Sequence, residues 1–174
     1  RGRALVLFTS YSSLRAAHKL AADALRDEGI DALAQGADGS PRQLVRALQT
    51  NPQTVIFGTA SFWEWVDIAG EALSLLIMTR LPFNVPTDPV HAARSAAYDE
   101  PFMQYTLPQA ILRFKQGFGR LIRAKTDRGV MAVLDRRIVS KRYGAAFLES
   151  LPPCPVREAL LREMPELVRE CLRI

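Results

Sequence analysis

Four side chains in the second half of the chain are of types that hold phosphate. Arg113, Gln116, Arg120 and Arg123 follow one another at spacings of three, four and three residues, which in an α-helix sets them in one stripe. A guanidinium is a planar fork of N–H donors that meets phosphate oxygens two at a time, so three of them with one amide make a candidate phosphate clamp. Gly117 and Gly119 lie inside the same stretch. Each costs about 1 kcal/mol against alanine in a helix interior, and close approach of a ligand or a second backbone is the gain that would offset it. A solvated basic face has the same period, and spacing alone does not separate the two.

The element that must position these groups is written in the opposite stripe. Leu107, Ala110, Ile111, Phe114, Phe118, Leu121 and Ile122 fall together at 100° per residue, which predicts an amphipathic helix from Leu107 to about Ile122 with its arginines turned from the core. Five short apolar runs surround it: Ala4 to Phe8, Ile30 to Ala34, Thr54 to Phe57, Ser74 to Met78 and Gly129 to Leu134. A helical pattern runs from Ser12 to Glu28, stopped by Gly29, and another opens near Ser40-Pro41. Strands that are apolar along their length and alternate with helices predict an α/β fold with a parallel sheet covered on both faces. Ligands of such sheets sit beyond the carboxyl ends of the strands. Thr9-Ser10-Tyr11, Gly58-Thr59-Ala60-Ser61, Arg80 and Asp135-Arg136-Arg137 would all meet there.

The bulk numbers bound what this can be. At 174 residues, 48% apolar and 24% charged, the chain suits one well-cored domain. It begins at Arg1 with no leader before Ala4 and reads as a piece of a longer polypeptide. No run approaches a membrane span. Two cysteines, Cys154 and Cys171, suggest neither a disulfide framework nor a metal set, and fit a reducing cytoplasm. The net charge is +5, yet residues 113 to 142 hold ten Lys or Arg against two Asp, a balance of +8 that leaves −3 elsewhere. Such concentration is the footprint of a polyanion-binding surface.

Motifs narrow the class. Gln116 to Arg123, QGFGRLIR, resembles motif VI of superfamily 2 helicases in the form found in the DinG and XPD branch. FTSY at Phe8 to Tyr11 resembles motif IV, SFWEWVD from Ser61 resembles motif V, and LPFNVPTDP from Leu81 and KRYGAAFLESLP from Lys141 resemble later segments of the same branch. The matches keep the family's order over almost the whole chain. Trp65 stands where the family pattern has glycine, a place where an indole could cover a nucleotide, stack on a base or simply pack.

The resemblance implies a three-layer RecA-like domain, the second motor domain of an ATP-dependent 5′-to-3′ DNA helicase. It further implies Arg120 and Arg123 as arginine fingers with Gln116 as γ-phosphate sensor, and Gly119, Glu64 and Asp67 beside ATP. Thr9, Ser10, Thr59 and Ser61 would hold single-stranded DNA. No glycine opens a G-x-x-x-x-G-K-[ST] loop, so ATP and Mg²⁺ would be bound mainly by a first RecA-like domain of the same polypeptide. An iron–sulfur cluster would belong outside this stretch. His18 and His91 have no nucleophile or metal partner by spacing and read as structural. The rival readings are a non-catalytic basic nucleic-acid-binding module and another doubly wound nucleotide enzyme, the latter lacking a visible phosphate loop.

Overall fold

A computed structural model of the chain describes residues 2–59, 62, 72–85, 87–123 and 126–172. Five strands form one sheet: β1 (Ala4–Phe8), β2 (Asp31–Ala34), β3 (Thr54–Thr59), β4 (Leu75–Met78) and β5 (Val130–Val133). Their order is β2-β3-β1-β4-β5, and every pairing is parallel. Each lies within the expected apolar run or differs by a residue or two at its ends. β3 is buried along all six residues, as a strand covered on both faces must be.

The connections explain the layers. Right-handed crossovers place a helix on one face when the chain steps one way along the sheet and on the other when it steps back. From β1 to β2 the chain passes through α1 (Tyr11–Asp27); from β2 to β3, in the opposite direction, through α2 (Pro41–Thr50). From β4 to β5 it steps the same way as α2, through α3 (Pro89–Ser95), a π-helical turn (Phe102–Thr106) and α4 (Leu107–Leu121). Leu14 of α1, with Ala17, Ala21 and Leu25, accordingly packs on Ala4, Phe8, Val55 and Phe57. On the other face Leu44 and Leu48 of α2 and Leu107, Ala110, Phe114 and Leu121 of α4 pack on Leu5, Leu7, Ile56, Leu76 and Met78. The neighbours in β1 alternate between the two clusters, which is the period of a strand.

Local chemistry sets the helix ends. Ser10 caps α1, its Oγ accepting the Ser13 N–H at 3.2 Å. Ser40 and Pro41 open α2 through a capping box with Gln43. Three short helices complete the chain: α5 (Arg137–Ser140), α6 (Gly144–Glu149) and α7 (Met164–Leu172). Gly144 is required at the start of α6, since a Cβ there would meet the Ile138 carbonyl oxygen at 2.0 Å. Among the described residues no helix is long and apolar enough to cross a membrane.

Candidate functional site

Helix α4 carries three of the four candidate phosphate-clamp residues, Arg113, Gln116 and Arg120, and its core face is close to expectation. Leu107, Ala110, Phe114, Gly117 and Leu121 are buried; Ile111, Phe118 and Ile122 are only half-buried. Gln116 and Gly119 are exposed and Arg120 is half-buried on the outer side. A Cβ built on Gly119 meets no atom within 4 Å. Nothing within the described residues therefore requires a glycine at this position.

Arg123 departs from the stripe. The helix ends at Leu121, Ile122 turns extended (φ −119°, ψ 103°), and the Arg123 backbone N–H donates to Asp127 Oδ2 at 2.8 Å. Arg123 thus sits in the loop after the helix, adjacent to Arg120 along the chain but outside its helical register. The arginine at the other end of the stripe has a different occupation. Arg113 donates to Asn84 Oδ1, which orients that amide so that its Nδ2 faces His91 Nδ1 at 2.6 Å. His91 Nε2 then meets Thr106 Oγ1 at 3.1 Å, and the His91 backbone N–H donates to Asp88. This chain of bonds ties α4 and its leading turn to the proline-rich loop after β4. His91 is buried and structural; His18 is half-buried, and its Nε2 lies 3.0 Å from the Ala32 carbonyl.

Where α4 points is fixed by the sheet. Because β4 and β5 are parallel neighbours, the helix between them runs back from the carboxyl end of β4 to the amino end of β5. Leu121 abuts Gly129, one residue before β5, so closely that a Cβ on Gly129 would come within 2.6 Å of it. Fifteen residues at about 1.5 Å each give about 22 Å of helix. Arg120 and Arg123 consequently lie at the opposite edge of the sheet from Thr9, Ser10 and Thr59, which follow the carboxyl ends of β1 and β3.

At the carboxyl rim one amide organises three strands. Gln35, just after β2, accepts the Thr59 N–H at 2.8 Å and the Thr59 hydroxyl at 3.1 Å, while its own Nε2 donates to the Tyr11 hydroxyl at 2.9 Å. Thr59 is buried, and both of its donors are directed inward. Thr9 is exposed and Ser10 half-buried. Ser61, Glu64, Asp67 and Trp65 fall outside the described residues.

Asp135 does not face outward as a rim ligand. It is 9% exposed and accepts the Leu81 N–H at 2.9 Å and the Arg137 N–H at 3.0 Å, with the Arg137 guanidinium at 2.6 Å. Burial pushes its pKa up, but the Arg137 side chain and the two backbone donors outweigh it and hold the carboxyl at about 2. The same pairing raises Arg137 above its ordinary value. The Arg137 guanidinium also lies 5.2 Å from the Phe83 ring centre. This ion pair joins the loop after β4 to the end of β5. The signal for it was there in Asp135-Arg136-Arg137, but its partner at Leu81 is 54 residues distant. No group of three His, Cys, Asp or Glu that could hold a metal ion occurs among the described residues.

Comparison with known proteins agrees with this architecture. Residues 1–154 match the helicase C-terminal domain family. The chain is 40% identical over 169 residues to "3'-5' exonuclease DinG" of Bacillus subtilis (strain 168), covering 94% of the chain and 18% of that protein. It is 40% identical over 158 residues to "ATP-dependent DNA helicase YoaA" of Escherichia coli (strain K12), covering 88% and 24%. To "ATP-dependent helicase DinG" of Mycobacterium tuberculosis (strain ATCC 25618 / H37Rv) it is 43% identical over 157 residues, covering 87% and 23%. The chain spans about a fifth to a quarter of the length of these relatives. A five-stranded parallel sheet with helices on both faces, ordered motifs and a match over residues 1–154 lead to one conclusion: the chain belongs to the helicase C-terminal domain family.

Proposed function

We propose that this chain is the second RecA-like motor domain of an ATP-dependent 5′-to-3′ DNA helicase of DinG type. Arg120 and Arg123 act as fingers toward ATP and Mg²⁺ held mainly by a first, Walker-bearing domain of the same polypeptide. The observation that carries this is the open end of α4. Gln116 is exposed, Gly119 leaves empty space where a side chain would stand, and Arg120 and Arg123 follow it in the chain. Such a donor set suits a phosphate arriving from outside the domain. Bound ATP supplies the phosphoryl group to be transferred. Arg120 and Arg123 offset the charge that builds on its oxygens, Gln116 senses the γ-phosphate, and Glu64 and Asp67 border the nucleotide.

Single-stranded DNA is held at the other edge. Thr9 and Ser10 offer hydroxyl and backbone groups to phosphates there, and the motif resemblance adds Ser61 to the same grip. Thr59 can join only by releasing Gln35, so its contribution is the smallest of the four. Hydrolysis in the cleft then changes how the two domains close, and the strand is moved stepwise.

ATP turnover by the full-length protein at saturating single-stranded DNA tests the assignment. Arg120→Ala lowers it by roughly 10³-fold, the scale on which arginine fingers act, and leaves DNA affinity nearly unchanged. Arg120→Lys fails to rescue because an ammonium lacks the planar fork. Near-normal turnover with weakened DNA binding would instead support the basic nucleic-acid-binding module.

A further inference from the structure

The first residue of the π-helical turn, Phe102, is 41% exposed although two neighbouring rings fix it in place. It stacks on Phe83 with ring centres 5.9 Å apart and planes 23° apart, and meets Tyr143 edge-on at 5.4 Å. Phe83 is backed in turn by the fully buried Phe147 at 5.8 Å and by the Arg137 guanidinium at 5.2 Å. The ring therefore cannot fold inward, and a large apolar surface is held facing solvent. Met103, beside it, is 53% exposed. Lys141 and Arg142, next to Tyr143 in the chain, are both exposed, while Asp135 at the same rim is already paired with Arg137. Asp99 and Glu100 precede the turn on its entry side.

We propose that Phe102 and Met103 form a base-stacking platform for single-stranded nucleic acid, with Lys141 and Arg142 drawing the phosphates alongside. A rigid exposed ring whose edge-on partner Tyr143 directly follows two exposed cations matches a ligand that has flat apolar faces along a negative backbone. A duplex would hide its bases, and an apolar protein surface would have no use for the cations. The platform belongs to the segments that follow β4 and β5, which are one and two strand spacings along the sheet from β1, at whose carboxyl end Thr9 and Ser10 stand. The inference rests on the single-strand part of the function proposed above.

Binding of an oligothymidylate to the full-length protein, measured across a salt series, tests it. Phe102→Leu keeps the apolar bulk and removes the π-face; it lowers affinity about tenfold with the salt slope unchanged. Phe102→Trp retains wild-type affinity. Lys141→Gln with Arg142→Gln lowers the slope by about 1.4, as expected for two phosphates on a single strand. Thermal melts of all variants control for folding. If Phe102→Leu melts and binds like wild type, the platform is overturned, and a fall in ATP turnover in that variant would assign the ring to a protein contact. Absence of binding by the wild-type protein would overturn the grip at the rim itself, a separate failure.

Discussion

The two ends of α4 are built on opposite plans. At its start, Arg113, Asn84, His91 and Thr106 form a continuous run of hydrogen bonds, and Phe83, Tyr143 and Phe147 pack edge to face beneath it. At its finish Gly119 opens onto empty space and the chain leaves helical geometry before Arg123. One end is tied to the loop after β4; at the other the helix gives way to the loop that leads into β5. Two arginines of the same apparent stripe therefore have different surroundings, and periodicity could not tell them apart.

Substitutions at the two arginines give the largest expected contrast. Arg123→Ala lowers ATP turnover of the full-length protein by roughly 10³-fold at saturating single-stranded DNA, and the backbone bond to Asp127 survives the substitution. Arg113→Ala does the reverse: it strands Asn84 in a half-buried site, costs about 1–3 kcal/mol of stability, and leaves turnover per folded molecule largely intact. Equal loss of turnover in both would erase the distinction.

Acid titration addresses the rim. The Asp135 carboxyl is depressed to about 2 from an ordinary 3.8, so its contribution is complete above about pH 4 and is lost as the pH falls from 4 towards 2. Linkage makes that about 2 kcal/mol. Asp135→Asn should flatten this part of the stability–pH curve, as followed by denaturant unfolding at several pH values, and an unchanged curve would remove the ion pair as the fastening of the two loops.

Gly119→Ala sharpens the contrast more gently. With no atom within 4 Å of the new methyl, the helix gains up to about 1 kcal/mol of stability, and turnover should nevertheless fall because the approach is obstructed. A stabilised variant with undiminished turnover would show that the space is not used. The smallest effect belongs to Gln35→Glu, which still accepts from Thr59 but no longer donates to Tyr11. Stability should change by less than about 1 kcal/mol, and the added negative charge should weaken single-strand binding slightly, readable at low salt.

Much of the frame could be read before any coordinates. Apolar runs bounded by glycine, proline and serine placed all five strands, and the 3.6-residue period placed α4 within a residue of its end. What escaped were contacts made at long range. Gln35 looks like an ordinary turn residue until Thr59 and Tyr11, each 24 positions away, converge on its amide. Asp135 reads as a polar rim residue because its solvation is reversed only by Leu81 and Arg137. The exit of Arg123 from the helix depends on a carboxylate four residues later capturing its N–H. Motif order singled out the candidate residues, and the crossover geometry sets Arg120 at the opposite end of the sheet from Thr9, Ser10 and Thr59.

The seating of Leu121 against Gly129 has a mechanical consequence. Because the last turn of α4 is wedged against the start of β5, the helix cannot pivot by itself, and the whole domain must turn to move its tip. With an arm of about 20 Å, a rotation of about 5° around the carboxyl rim sweeps the tip through roughly 2 Å, more than an N–H···O bond tolerates. A small turn of the body is thus enough to make or break contact at the far end, with no change of internal shape.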